Sequence, residues 1–467
     1  MHRFVNMRIE NVRTERKAAV FVAALSSFIG PFMGASVVVA LPAIGGEFSM
    51  GAVALGWINT AFLLAAAIFL IPFGKLGDIY GRKRIFSVGV FLLLVSSTLL
   101  ATTNSAAMMI GYRALQGFAS SMIFATGLPI LMSVVPPEER GKAIGLTVAA
   151  VYLGLSTGPF LGGFITQQLG WRYIFWINVP LSLLLLAATH FLLKGDWSSQ
   201  DKSRFDVKGA TILGAGLALT MYGFTTMPSY QAVMTIIPGI LGLVLFVRYE
   251  LRVASPLVDV DLFRKNPVFA FSNLAALINY AATFAVGFML SLFLQKVRGL
   301  TPQMAGTILV AQPLLQTIFS PVAGRLSDRI EPRTLASVGM GVSCAGLIML
   351  AFVSAVIPIA YIVTCLVVLG FGFALFSSPN TNAIMSSVDR SDYGFAGATV
   401  SAMRQIGMMF SMAVVTVTMT LFIGKSDIVA ANSGEFVLSC RYAFGLFALL
   451  CFGGIFASMA RGRMARN

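Results

Sequence analysis

Few charged residues of this chain are placed where they could do chemistry inside an apolar environment. One is Asp78, in GKLGDIYGRKR (Gly74 to Arg84), with Lys75, Arg82, Lys83 and Arg84 around it and with Gly74, Gly77 and Gly81 able to turn tightly. The stretch recurs in degraded form as GRLSDR, Gly324 to Arg329, keeping the glycine, the leucine two on and the aspartate four on, Asp328. Each copy lies between two long apolar runs. A carboxylate at such a joint can pair with the neighbouring Arg82, or cap the positive N-terminal end of a helix near Asp392 to Gly394 and so hold one global state. A topology anchor is the plainer reading of a basic loop. The repetition argues instead for a conformational switch built from Gly74, Asp78, Gly81, Arg82, Gly324 and Asp328.

Arg113 and Arg404 are the two basic residues that fall inside apolar runs. An ionisable group at membrane depth costs free energy and is a functional hypothesis by default. With Gln116, Gly117, Asn273, Asn380 and Gln405 they are expected to line a cavity for transport, facing it from opposite halves; burial in helix packing is the rival reading. All 18 acids lie in loops or at span ends, so no carboxylate is expected at mid-membrane. His190 falls near the end of its run, and Cys344, Cys365 and Cys451 lie in apolar runs without CxxC or Cys/His spacing. Neither a catalytic pair, a metal site nor a cofactor is implied, which speaks against an enzyme.

The elements that must position these groups follow from hydropathy. With 57% hydrophobic residues, 11% charged and a mean hydropathy of +0.85, the chain is a polytopic membrane protein. Apolar stretches long enough to cross about 30 Å of hydrocarbon fall near 18–42, 52–72, 85–103, 106–134, 142–166, 172–193, 210–227, 231–247, 268–295, 303–323, 334–354, 357–386, 394–423 and 440–460. If the N-terminus is inside, 26 of the 33 Lys and Arg fall in inner segments, so both termini are expected to be cytoplasmic. The net charge of +15 is dealt out in these small clusters, which argues for topology and against nucleic acid. Gly74 and Gly324 are 250 residues apart, about eight spans, where two six-span halves would give six. The expected organisation is therefore a six-helix bundle over 1–194, a linker with two inserted spans over 195–265, and a second six-helix bundle over 266–467. Two repeated bundles around a midplane cavity suit alternating access.

These motifs resemble a known family. GKLGDIYGRKR resembles the loop between the second and third spans of the major facilitator superfamily, with Ile79 where Arg is usual. RALQGFASS, from Arg113, resembles its R-x-x-Q-G motif. GLSTGPFLGG resembles the motif of its exporters, with Gly154, Gly158, Pro159, Gly162 and Gly163 in place. WRYIFWINVP, PLVDVDLFR and MRQIG are similar to the fourteen-span drug:proton antiporter family. One departure is FMGASVVVALP, where Met33 stands in place of the first-span aspartate of drug exporters and Val38 in place of an asparagine. The resemblance implies an all-α membrane protein of the major facilitator fold, in a prokaryotic plasma membrane. Its expected activity is proton-linked secondary export of small amphiphilic solutes by a monomer whose partners are a small-molecule substrate, protons and membrane lipid. Alternatives are export of an anionic metabolite or lipid, a facilitator without proton coupling, and a transport-dead receptor.

Overall fold

The computed structural model describes residues 2–136, 139–197, 205–253, 255–327, 329–389, 393–424, 426, 428 and 430–462. Without water in the hydrocarbon, each backbone N–H must bond within its own segment, and among the described residues every regular element is helical. The first six are α1 (His2–Phe48), α2 (Ala52–Tyr80), α3 (Arg82–Ala101), α4 (Ala106–Val134), α5 (Arg140–Gln168) and α6 (Arg172–Leu192). Next come α7 (Val207–Thr225), α8 (Tyr230–Glu250) and the short α9 (Val260–Lys265). The remaining spans are α10 (Pro267–Thr283) continued by α11 (Val286–Leu292) and a π-turn to Val297, α12 (Pro302–Leu309) continued by α13 (Ala311–Ser327), α14 (Pro332–Ala351), α15 (Ile359–Ser386), α16 (Tyr393–Phe422) and α17 (Ser433–Ala460). Among the described residues fourteen segments are long and apolar enough to span a membrane. Short polar side chains cap several of their starts: Ser105 accepts from the Met108 N–H at 3.2 Å, Asn266 from Phe269 at 3.0 Å and Thr301 from Met304 at 3.3 Å.

The hinge is shorter than its sequence suggests. α2 runs through GKLGDIY to Tyr80 and α3 begins at Arg82, so Gly81 alone joins them, at φ 107°, where a side chain would be strained. An apolar-run criterion stops at the first charges, whereas a helix continues into the interface, where water solvates Lys75 and Asp78.

Helix pairs recur in matching order. α1 packs on α5, α2 on α4, and α3 on α4 and α6; correspondingly α10 packs on α16, α13 on α15, and α14 on α15 and α17. Glycines let these crossings close. A Cβ on Gly158 would stand 2.9 Å from the Phe32 carbonyl, and one on Gly339 in α14 would stand 2.6 Å from the Phe376 nitrogen in α15. Between the two sets, α2 meets α16, and α5 meets α12 and α13. α8 leans on α7, which reaches both sets through α2 and α16, with Phe224 edge-on to Phe410 at 6.0 Å. Tyr222 and Met234, on the inserted pair, are exposed on its apolar surface.

Candidate transport site

The Asp78 carboxylate accepts from Arg82 Nε at 2.9 Å and pairs with a terminal nitrogen of the same guanidinium at 2.8 Å. The other terminal nitrogen donates to Ser133 Oγ at 3.0 Å and to the Pro129 carbonyl at 3.4 Å, so the pair bolts the corner to the end of α4. The segment after α6 clasps it from the other side. The Arg82 N–H donates to the Trp197 carbonyl at 2.9 Å, the Lys83 ammonium donates to the Leu193 carbonyl, and Arg84 pairs with Asp196 at 2.7 Å. Of the two partners weighed for Asp78, Arg82 is the one observed. Asp392 lies outside the described residues, and among the described ones no hydrogen bond joins Asp78 to α16. Gly324 lies within α13, close enough to α15 that a Cβ would meet Ser378 Oγ at 2.9 Å, and Asp328 lies outside the described residues.

Arg113 is 1% exposed and turned into its own half. Its Nε donates to the Ile58 carbonyl at 3.1 Å, and its terminal nitrogens donate to Gln116 Oε1 at 2.6 Å and Asn59 Oδ1 at 3.4 Å. The guanidinium lies 4.6 Å above the Phe62 ring, and Gln116 donates onward to Ser97 at 3.2 Å. Gly117 allows α4 to press against the Phe62 carbonyl. These partners belong to α2, α3 and α4, so in this structure Arg113 and Gln116 tie three helices of one half together. Neutral oxygens and a ring face suffice to hold a buried guanidinium. Asn273 donates to the Phe269 carbonyl of its own helix at 2.9 Å. Asn380 donates to the Ser272 carbonyl at 3.0 Å and accepts from Arg461 at 3.1 Å.

Arg404 is placed differently. One terminal nitrogen donates to Thr381 Oγ1 at 2.8 Å, and the guanidinium stands 5.5 Å over the Tyr280 ring. Its Nε is buried without a partner, and so is Oε1 of the adjacent Gln405. Tyr280 packs edge-on to Phe373 at 5.3 Å. The Tyr152 carbonyl accepts from Thr317 of α13 at 3.4 Å, and Thr317 meets Ser156 at 2.9 Å. A polar seam thus forms at mid-span, with α5 and α13 on one side and α10, α15 and α16 on the other; it holds one guanidinium and, among the described residues, no carboxylate.

Toward the face opposite the basic loops the two sets are joined more closely. Ser291 donates to the Val38 carbonyl at 2.8 Å and Gln295 to the Val39 carbonyl at 3.0 Å. The Ala52 N–H donates to the Ser426 carbonyl at 3.1 Å, and Gly163 and Gly306 admit the carbonyls of Pro302 and Pro159 against them. On the basic side, Leu146, Val148, Ile318 and Val322 near the ends of α5 and α13 are exposed.

A model of the Major Facilitator Superfamily matches residues 20–269 and 272–465, almost the whole chain. The chain belongs to the Major Facilitator Superfamily. Relatives of this facilitator include the riboflavin transporter RibZ of Clostridioides difficile, 29% identical over 91% of this chain and 94% of that protein. The multidrug resistance protein Stp of Mycobacterium tuberculosis is 31% identical over 82% of this chain and 72% of its own length. The tetracenomycin C resistance and export protein of Streptomyces glaucescens is 29% identical over 83% and 73%. Resistance and export names accord with the resemblance to fourteen-span drug antiporters. The fold is shared with a bacterial homologue of the human lysosomal transporter Spinster, at a TM-score of 0.68 and 15% identity over 97% of this chain and 99% of that one.

Within this facilitator, the glycines of the exporter motif divide by partner. Gly154, Gly158 and Gly162 face α1 at Phe28, Phe32 and Ser36, whereas Gly163 faces α12, and Pro159 offers its carbonyl to Gly306. Met33, at the position of the family's aspartate, is buried inside the amino-terminal half beside a small cavity lined by Gly30, Leu93, Ser120 and Phe124. Sequence reasoning missed Arg461, which the basic tail disguised. It is 1% exposed and donates to Ser272 at 3.1 Å and to the Ser458 carbonyl at 2.8 Å, tying α17 to α10 and α15. It also passed over Tyr152, Ser156, Thr317 and Thr381, because hydroxyl groups in apolar runs carry no signal of direction.

Proposed function

We propose that this transporter is a secondary active exporter of small amphiphilic solutes in a prokaryotic plasma membrane, working as a monomer by alternating access between halves 1–194 and 266–467. The observation that carries the reading is the seam around Arg404: a guanidinium with an unpartnered Nε, aromatic faces at Tyr280 and Phe373, and hydroxyl groups from both halves. A neutral or anionic amphiphile would complete the bonds of Arg404 and Gln405 and stack on the rings, while a permanent cation would meet a positive charge with no acid to offset it. The inserted pair α7 and α8, within the linker 195–265, lies beside this path. The close joints on the face opposite the basic loops support an arrangement shut on the outer side. In it Asp78 and Arg82 hold the inner corner, and this corner with Gly74, Gly81 and Gly324 is the element on which the two halves rock.

The names of relatives favour export driven by protons. A second reading, a facilitator without proton coupling, is favoured by Met33 in place of the family's acid. The experiment is uptake of an amphiphilic anion into inverted membrane vesicles or liposomes, with and without an imposed pH gradient. Accumulation that collapses with the gradient is expected for the antiporter. Equilibration indifferent to the gradient would establish the facilitator, and absence of exchange for any solute tried would defeat the transport reading.

A further inference from the structure

The inserted pair carries a second cluster of ionisable groups, remote in sequence from the seam and not used by it. Asp206 caps the start of α7, its Oδ1 accepting the Gly209 N–H at 3.0 Å and the Tyr249 hydroxyl at 3.1 Å. Glu250 ends α8 and is 3% exposed; its Oε2 accepts the Val258 N–H at 2.9 Å, across the turn that leads to α9 and α10. Each carboxyl therefore has one oxygen satisfied. The other two, Asp206 Oδ2 and Glu250 Oε1, are both buried, and among the described residues neither has a donor. They converge on Gly209, where a Cβ would stand 2.6 Å from Glu250 Oε1 and closer still to Asp206 Oδ2.

We propose that Asp206 and Glu250 bind one proton between these two oxygens, forming a proton site at the basic-face ends of α7 and α8. Two adjacent carboxylates removed from water cannot both stay ionised, and one shared proton supplies the donor both oxygens lack. Among the described residues no cation replaces it. Lys208, Arg248 and Arg252 are exposed, and among the described residues none forms an ion pair with either carboxyl. On α9, Asp259 caps Leu262 at 3.1 Å and Asp261 pairs with Arg264 and Lys265. On α2 and α16, against which α7 packs, Asp78 and Arg82 hold each other and Arg404 belongs to the seam; Lys75 pairs with neither carboxyl. Tyr249 is the other titratable group in contact, and it donates to Asp206.

The proton latches the connector. While it is held, Glu250 stays folded against Gly209 and keeps the Val258 N–H; once it is lost, two like charges face each other and the turn opens. Closed, the two oxygens share one proton, which the opened carboxyls, parted and in water, release more readily. The latch is therefore fully closed at low pH. Between the opened and closed pKa values it weakens about tenfold per pH unit as pH rises.

The test is hydrogen exchange of the Val258 amide in the full-length protein in lipid nanodiscs, across pH and corrected for the intrinsic rate. Protection in the parent should fall about tenfold per pH unit over part of the range. In Glu250→Gln the side-chain amide donates in place of the proton while its oxygen still accepts from Val258, so protection should stay high and flat. Asp206→Asn offers the same donor from the other side and serves if the first variant fails to fold. A flat parent profile, or a slope that survives in the folded variants, would overturn the proposal. Recovery of protection at alkaline pH on adding Na⁺, K⁺ or Mg²⁺ would likewise show a metal-ion site in its place, whereas indifference to these salts is expected. The readout involves no solute and stands apart from the transport reading.

Discussion

At the scale of the residue, two arginines that are indistinguishable in sequence differ in what they are for. Arg113 and Arg404 each interrupt an apolar run, and their charge made both visible. Their direction was not legible, because a helix surrounded by protein and lipid has apolar residues on every face and so no polar stripe to orient it. Arg113 has carbonyl, amide and ring partners in a single half, so Arg113→Gln should act on stability. It leaves Asn59 Oδ1 buried without a donor, a cost of about 1–3 kcal/mol, seen as a lower thermal-unfolding midpoint in detergent. An unchanged midpoint would show that water or a repacked neighbour replaces the guanidinium. Arg461 makes the same point in reverse: a basic residue after the last span reads as a topology anchor, yet it is among the most buried side chains of the molecule.

At the scale of the element, span number and order were legible, because each span must be apolar for about 20 residues and the basic loops fix its polarity. What hydropathy could not show is where helices end, as the continuation of α2 to Tyr80 demonstrates, or which neighbour a glycine faces. Gly154, Gly158, Gly162 and Gly163 form one spacing pattern that serves two interfaces. A Cβ on Gly162 would lie 2.6 Å from Ser36 Cα, within one half, so Gly162→Ala should overpack α1 against α5 and cost about 1–3 kcal/mol of stability. Gly163→Ala instead pushes α5 from α12 across the joint between the sets, and should open the outer face at little cost to either half. With Gln303→Cys as reporter on α12, a membrane-impermeant thiol reagent should label the Gly163→Ala protein faster than the parent, against a low background because all four native cysteines are buried. Equal labelling rates would place the joint elsewhere.

At the scale of the whole molecule, two sets of helices close on the face away from the basic loops and meet at mid-depth in a seam whose one charge is Arg404. Its acceptors are Thr381 and the Tyr280 ring, and on α13 Thr317 joins the opposite half through Ser156 and the Tyr152 carbonyl. The seam was half legible: Arg404 and Gln405 were singled out by type, while the hydroxyl groups that complete it come from four other helices and meet only in the fold. Missing from it is the negative charge that would welcome a cation, and Met33 occupies the position where the family pattern carries one. The most direct measurement is transport into liposomes of a matched pair of amphiphiles, one anionic and one cationic, by the parent and by Arg404→Gln. The parent should prefer the anion, and Arg404→Gln should lose roughly tenfold or more of that preference while remaining folded, the scale of one charged hydrogen bond of about 1.5–3 kcal/mol. A parent that prefers the cation, with a preference unmoved by loss of Arg404, would contradict the account.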